Sequence, residues 1–292
     1  MSKRGGRART GAAKRRWLDG WRPVATVASV EVQAEERPFF DRRPLHGPFD
    51  LIGDVHGCAR ELDLLLARLG YGAECDSAWT HPEGRMAVFL GDVVDRGPGI
   101  VRAMQRVTSM TAAGSALFVP GNHDERFVGF LMGGEPPADY GIEDTLDQLE
   151  ALDDSTRSEL LEAFLRMYME APPYLWLDEG RLAAVHGGIE EEMLGRFDRE
   201  VWQYCLMGKL VEDANWPTLI RRADWARDYR GATLIAYGHT PCPSATLVNN
   251  TVNLDQGCVF GGQLSALRYP ERELINVPAA RPYFVPSMAA AP

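Results

Sequence analysis

The sequence predicts an α/β sandwich, and three observations lead to this prediction. Strand-like and helix-like stretches alternate through the first half of the chain, which is typical of βαβ units and a parallel sheet. Short apolar runs in the second half predict a second sheet. The chain has 292 residues, 45% hydrophobic and 25% charged, which is enough to bury a substantial core. Disordered, collagenous and coiled-coil proteins fit this composition poorly.

The predicted elements follow one another in a regular order. The first half reads as strand FDLIGD (49–54), helix ARELDLLLARLG (59–70) closed by Gly70, strand MAVFLGD (86–92), helix IVRAMQRVTSM (100–110) and strand ALFVPGN (116–122). Two helical stretches, at 142–154 and 156–170, predict a lid or cap that ends before Pro172. The second half adds strands at 181–188 and 232–241, a hairpin at 245–257 that turns at Asn249-Asn250, and a strand pair at 262–278 that turns at Pro270.

These elements predict one catalytic domain between two terminal segments. We expect a basic tail and linker over 1–48, the domain over 49–278 and a Pro/Ala-rich tail over 279–292.

The first sixteen residues form a basic arm with seven Lys/Arg and no acid, whereas the whole chain has a net charge of −10. Such an arm is most often a solvated leader, but it could make weak phosphate contacts with nucleic acid. An Arg-rich transit peptide is a third interpretation.

The apolar runs and the cysteines both point to a cytoplasmic protein. No stretch approaches the run of about 18 apolar residues that a membrane span requires, so no membrane partner is expected. Five cysteines, without a CxxC pair, are typical of reduced thiols rather than a disulfide framework, and we interpret them as structural.

Polar side chains follow the three predicted strands of the first half, at the point where each strand ends. The pairs are Gly53-Asp54, Gly91-Asp92 and Gly121-Asn122. Ligands of open α/β sheets gather beyond the carboxyl ends of the strands, so these side chains should meet in space.

Four of the six histidines lie at predicted strand ends as well: His56, His123, His186 and His239. One histidine at such a position is usually structural. Four of them beside Asp and Asn predict a metal site instead.

The mixed nitrogen and oxygen donors suit Mn²⁺, Fe, Co²⁺, Ni²⁺ or Zn²⁺ better than Ca²⁺ or Mg²⁺. The donors divide naturally between two ions, with Asp92 as the bridge. We assign Asp54 and His56 to the first ion, and Asn122, His186 and His239 to the second. Two such ions attract a phosphate and activate water, the arrangement that phosphate-ester hydrolysis needs.

Three further residues have predicted catalytic roles. His123 should protonate the leaving group as a general acid, with Asp95 favouring its imidazolium form. Arg96 should donate a pair of hydrogen bonds to phosphate oxygens. A salt bridge between Asp95 and Arg96 is the structural alternative.

Five motifs in this order and spacing resemble the phosphoprotein-phosphatase branch of the calcineurin-like metallophosphoesterases. They are GDVHG (53–57), GDVVDRGP (91–98), GNHD (121–124), HGG (186–188) and GHT (238–240). The resemblance spans about residues 49–277. It implies a four-layer αββα sandwich, a dinuclear site usually active with Mn²⁺, and direct attack on phosphorus by hydroxide held at the metals.

Within that branch, the segment LDQGCVFGGQLSALRYPEREL (254–274) is similar to the phosphatase module of bacterial polynucleotide kinase-phosphatases. This similarity implies an active-site role for Asp255 and a second phosphate contact for Arg222. The kinase motif GxxxxGK[ST] and a ligase-like domain are absent from the sequence, so a stand-alone phosphatase is expected.

Three functions remain open at this point. The leading one is a Mn²⁺-dependent phosphatase of monoesters, acting on a phosphoprotein, an RNA 3′ end or a nucleotide. The second is a symmetrical bis(5′-nucleosyl)-tetraphosphatase. The third is a catalytically silent binding protein on the same fold.

Overall fold

The computed structural model describes residues 40–73, 78–134, 141–212 and 220–285. The predicted strands and helices of the first half form as expected, with Gly70 ending its helix in the left-handed conformation at φ 99°. The basic arm lies outside the described residues.

Six α-helices lie in the described ranges. They are α1 (Ala59–Leu69), α2 (Ile100–Ala112), α3 (Asn122–Leu131), α4 (Ile142–Glu150), α5 (Asp154–Glu170) and α6 (Arg199–Met207).

The first sheet combines strands from both ends of the chain. Its order is β12 (Asp255–Gln256), β13 (Gln263–Tyr269), β2 (Phe49–Ile52), β3 (Met86–Phe89) and β4 (Ala116–Phe118), and β14 (Glu273–Pro278) also pairs with β13. The strands β2, β3 and β4 are parallel, whereas β13 is antiparallel to β2. We expected the last strand pair in the second sheet, and this was wrong. Local periodicity predicts the pair but not its long-range partner.

The second sheet contains most of the later strands. Its order is β1 (Asp41–Arg42), β5 (Tyr174–Leu177), β6 (Leu182–Val185), β9 (Leu234–Tyr237), β11 (Thr251–Asn253) and β10 (Leu247–Val248). A separate antiparallel pair joins β7 (Leu210–Glu212) to β8 (Ile220–Arg222). The hairpin predicted at Asn249-Asn250 is the connection between β10 and β11.

Alternation along the strands produces four layers. Leu51 and Val88 face the core between the two sheets, whereas their neighbours Ile52 and Phe89 face the helices α1 to α5. On the outer face of the second sheet, Val185 packs in a third core that includes Val201 of α6. The result is the predicted order of helices, sheet, sheet and helix.

The two helices that we expected to form a cap belong to the outer helical layer. Leu149 of α4 and Phe164 of α5 are fully buried in the same core as α2. The cap is therefore not a separate body, because the apolar faces of both helices are covered by the helices beside them.

Two short segments extend the folded part beyond 49–278. Phe40, in the expected linker, is 1% exposed and stacks on Tyr174 at 4.8 Å between ring centroids. Beyond β14, the Tyr283 hydroxyl donates to Glu61 Oε1 at 2.8 Å. Within the described ranges, no helix has the length and apolar character that crossing a membrane requires.

Candidate active site

The sheet topology brings the predicted ligands to one edge of the molecule. Because β2, β3 and β4 are parallel, the side chains that follow them, Asp54, Asp92 and Asn122, lie at the same edge. In the second sheet β6 and β9 are also parallel, and they end one residue before His186 and two residues before His239.

Asp92 lies at the centre of this edge. Its Oδ2 is 3.4 Å from His56 Nε2, and its Oδ1 is 3.5 Å from His186 Nε2. Two groups of possible metal donors share it, His56/Asp92/His123 and Asp92/His186/His239, and within each group the donor atoms lie within 4.8 Å of one another. This position between two groups is the one expected of a bridging carboxylate.

Backbone carbonyls fix the tautomers of two imidazoles. His56 Nδ1 lies 2.9 Å from the Val94 carbonyl, and His186 Nδ1 lies 2.7 Å from the Leu90 carbonyl. A carbonyl only accepts, so each Nδ1 carries a proton and donates it. Each Nε2 therefore presents its lone pair to the site, as a metal ligand must.

In the second group of donors, atoms that carry lone pairs lie close together, with too few N–H groups to hydrogen-bond all of them. His186 Nε2 lies 3.1 Å from Asn122 Oδ1 and 3.0 Å from His239 Nδ1. His239 Nε2 is buried with no hydrogen-bond partner. Burial lowers the pKa of both imidazoles, and the positive charge of Arg222 adds to this effect. Neutral, convergent donors of this kind fit a divalent cation.

Carboxylates crowd the other side of the site. Burial, together with the nearby charges of Asp255 and Asp92, raises the pKa of Asp54 well above its usual range. Burial also raises the pKa of Asp255, to about 7. Although burial opposes ionisation of Asp92 as well, the surrounding imidazoles hold the pKa of that carboxyl far below its usual value. Clustered carboxylates repel one another, and bound cations would relieve this repulsion.

Two glycines leave the space that these carboxylates occupy. A Cβ atom on Gly238 would lie 2.0 Å from Asp54 Oδ1, and one on Gly121 would lie 2.1 Å from Asp92 Oδ1. The donor set, the orphaned His239 nitrogen and these close approaches together fit a pair of divalent ions. His56 and Asp54 would hold one ion, Asn122, His186 and His239 the other, and Asp92 both.

His123 belongs to a separate hydrogen-bonded chain. Its Nδ1 lies 2.6 Å from Asp95 Oδ2, and Thr145 donates to Asp95 Oδ1 at 2.6 Å. Although His123 lies close enough to Asp92 to count as a metal donor, its Nδ1 is engaged by Asp95. The predicted pairing of His123 with Asp95 is present, and the alternative salt bridge from Asp95 to Arg96 is not among the ion pairs of the described residues.

Arg96 reaches into the first group of donors. Its Nη1 donates to His56 Nε2 at 2.9 Å, and its Nε is buried without a hydrogen-bond partner. The guanidinium lies over the rings of Phe260 and Phe284, 5.4 and 5.7 Å from their centroids. A partly buried guanidinium beside the metal donors suits a phosphate oxygen. Arg222, on β8, is exposed and lies near His186 and His239 of the second group of donors.

Sequence reasoning missed two supporting residues. Thr145 lies 50 positions after Asp95, and no local pattern connects the two. Asp124 accepts from the Gly121 and Val93 amides at 3.0 Å each, and so ties the loop of Asn122 to that of Asp92. A carboxylate three residues after the N-cap residue, here Gly121, is a recognised capping signal, so Asp124 could have been predicted.

Comparison with known proteins places the chain in a family. The family model described as calcineurin-like phosphoesterase matches residues 47–266. The bis(5′-nucleosyl)-tetraphosphatase PrpE (asymmetrical) of Anoxybacillus flavithermus is 41% identical over 235 residues, which cover 80% of this chain and 96% of that protein. The protein of the same name from Geobacillus sp. is also 41% identical, covering 80% and 95%.

Solved structures support the fold alone. A crystal structure provisionally described as a diadenosine tetraphosphatase has a TM-score of 0.56 at 21% identity, covering 82% of this chain and 96% of its own. A Saccharomyces cerevisiae protein serine/threonine phosphatase with similarity to human PP5 has a TM-score of 0.51 at 13% identity, covering 84% of each chain.

These comparisons bear on the three functions that the sequence left open. The relatives carry the name of a tetraphosphatase rather than of the polynucleotide kinase-phosphatases whose module we expected to match. Their name also specifies asymmetrical cleavage, whereas our alternative was symmetrical. A catalytically silent role does not fit the match to this family, or the two groups of possible metal donors in this chain. The chain belongs to the calcineurin-like phosphoesterase family and is a metal-dependent phosphoric ester hydrolase.

Proposed function

We propose that this protein hydrolyses bis(5′-nucleosyl) tetraphosphates asymmetrically, releasing one nucleoside triphosphate and one nucleoside monophosphate. The observation that carries the proposal is the 41% identity to tetraphosphatases over 96% of their length. The phosphate monoesters that we first expected as substrates need the same phosphoryl chemistry, so they are the competing candidates.

The reaction breaks one bridging P–O bond and consumes one water molecule. The water oxygen bonds to phosphorus, the bridging oxygen leaves with the other product, and one water proton is released to that oxygen or to solvent. Two divalent cations, which we expect to be Mn²⁺, would supply activated water and stabilise charge on the phosphoryl oxygens.

The residues of the chain supply the remaining steps. Arg96 would donate to phosphoryl oxygens, a role supported by its partly buried guanidinium, whose Nη1 lies 2.9 Å from Nε2 of the expected metal donor His56. Arg222 would contact a more distant phosphate on the side of His186 and His239. Asp95 and Thr145 orient His123, so that its Nε2 can carry a proton to the leaving oxygen.

Asp255 lies near Asp54, and its side chain is held by a backbone amide. Its Oδ1 accepts from the Gly257 amide at 2.9 Å, and its charge acts on Asp54. We propose that Asp255 is an active-site residue that orients water or substrate hydroxyls beside the first ion.

A ranking of substrates tests this proposal. The purified protein with Mn²⁺ is given bis(5′-adenosyl) tetraphosphate, a phosphoserine peptide, an RNA with a 3′-phosphate and p-nitrophenyl phosphate, and kcat/KM is measured for each. We expect the tetraphosphate to rank first. A higher kcat/KM for the peptide or the RNA end would overturn the assignment. Asn122→Ala, which removes one expected metal donor, should lose all four activities together and so excludes a contaminating enzyme.

Contact of the basic arm with nucleic acid, and a cytoplasmic location, stay predictions. If the arm binds phosphates, deleting residues 1–16 should weaken RNA binding and flatten its dependence on salt.

A further inference from the structure

A cavity of about 510 Å³ opens directly beside the second group of metal donors. Its wall includes Gly187 and Thr240, each of which follows a metal-donor histidine in the chain. We call it the side cavity, and the residues that define its chemistry are Lys209, Arg222, Trp225, Tyr237, Cys242 and Asn253. Its volume lies in the range of about 300–1,000 Å³ that is usual for small-molecule sites.

Three cationic side chains, Lys209, Arg222 and Arg227, line the cavity. Arg222 is near enough to His186 and His239 for its charge to lower the pKa of both imidazoles. Lys209 is paired with Glu190 at 2.8 Å, and Arg227, also in the wall, is paired with Asp224 at 2.6 Å.

Apart from these cations and Asp224, the wall is aromatic and polar. Trp225 is held by a hydrogen bond from its indole N–H to the Gly187 carbonyl, and its ring lies 4.8 Å from that of Tyr237. Asn253 and Cys242 add polar groups, which also make hydrogen bonds with Thr240, Asp255 and Gln256. Cationic side chains beside an aromatic and polar interior suit a nucleoside 5′-phosphate, with the base inside and the phosphate toward Arg222.

We propose that the side cavity binds one nucleoside of the substrate and thereby determines which phosphate reaches the metal donors. This inference rests on the proposed function. Symmetrical cleavage breaks the bond between the second and third phosphates, whereas asymmetrical cleavage breaks the bond between the first and second. If a nucleoside is held directly beside the site, only its nearest phosphates reach the metal donors. The bridge between its first and second phosphates is then the one that is cut.

The wild-type protein offers a direct binding test through Cys242. Of the four cysteines that the structure describes, Cys58, Cys205 and Cys258 are buried, whereas Cys242 is partly exposed. Saturating AMP should slow the alkylation of Cys242 by iodoacetamide about tenfold. Peptide mass spectrometry measures the rate of alkylation. Ribose 5-phosphate, which lacks the base, should protect much less. Equal protection by both compounds, or none by either, would overturn the proposal.

Two adjacent residues of β10 provide a matched pair of variants. Val248 lines the cavity, whereas Leu247 points away from it, and both are exposed at 37% and 49% respectively. Val248→Trp should raise KM for bis(5′-adenosyl) tetraphosphate about tenfold or more and leave kcat/KM for p-nitrophenyl phosphate within about twofold. Leu247→Trp should change neither value.

The outcomes separate the two proposals. If Val248→Trp leaves KM for the tetraphosphate unchanged, or lowers activity on both substrates equally, the cavity does not bind the nucleoside. If the wild-type protein does not cleave the tetraphosphate at all, the proposed function fails, while protection of Cys242 by AMP would still support a nucleotide site.

Discussion

At the scale of single residues, the site depends on side chains that are packed too closely to tolerate change. The amide of His239 donates to both carboxylate oxygens of Asp54 at 3.1 Å, and Gly238 provides the space for this approach. Several site residues also adopt positive φ without being glycine: His56, Asp92, Asp95, Arg96 and His239. Strained backbone of this kind persists only where the surrounding structure enforces it.

Gly238→Ala should therefore weaken metal binding without removing any donor. The new Cβ would lie 2.0 Å from Asp54 Oδ1, so the carboxylate must move. We expect Mn²⁺ affinity, measured by calorimetry on the metal-free protein, to fall about tenfold or more. Gly129→Ala in α3 is the control, because nothing lies within 4 Å of the added atom, and its affinity should match the wild type. Equal affinity in Gly238→Ala would contradict this packing argument.

The role of His123 can be measured through the leaving group. If it donates a proton, His123→Asn should cost most where the leaving oxygen is most basic. We expect kcat/KM to fall about 100-fold or more for phenyl phosphate and less than about tenfold for p-nitrophenyl phosphate, whose leaving group is stable without a proton. The same loss with both substrates would show that His123 does not act as the acid.

At the scale of elements, Asp178 joins the two sheets at the end away from the active site, because β5 runs antiparallel to β6, which ends before His186. It follows β5, accepts a hydrogen bond from Tyr269 of β13, and is held by Arg181 at 2.6 Å. The hydrogen bond from Arg181, opposed by burial and assisted by Tyr269, lowers the pKa of Asp178 to about 2.

Asp178→Asn should destabilise the protein in a pH-dependent way. Because the pKa of the folded state lies below the ordinary value of about 3.9, the stabilisation is present above pH 4 and is lost as the pH falls toward 2. We expect Asp178→Asn to lower the free energy of unfolding by about 1–2 kcal/mol at pH 7, with the difference from wild type shrinking between pH 4 and 2. Urea denaturation across that range measures it. A difference independent of pH would exclude the carboxylate as the cause.

The elements also show what local sequence can and cannot predict. The strand ends at Asp54, Asp92 and Asn122 could be found because each follows an apolar run and a glycine, and parallel strands must bring such ends together. The contact of Thr145 with Asp95 and the pairing of β13 with β2 could not be found, because they join segments 50 or more positions apart. The stacking of Phe40 on Tyr174 could not be found for the same reason.

At the scale of the whole molecule, two sheets packed face to face create one edge where ligands from both halves meet. Asp54, Asp92 and Asn122 come from the first sheet, and His186 and His239 from the second. The side cavity, which we propose binds one nucleoside of the substrate, lies beside His186 and His239. The chain has a net charge of −10, and a polyanionic substrate must therefore be attracted by local charge at the site, from metal ions and arginines.

The central claim is tested most directly by identifying the products of bis(5′-adenosyl) tetraphosphate. The full chain is first freed of metal with a chelator, then supplied with Mn²⁺, and the nucleotides are separated by anion-exchange chromatography. We predict no reaction without metal, and ATP and AMP in equal amounts once Mn²⁺ is added. ADP as the sole product, or cleavage that persists in the metal-free protein, would contradict the account.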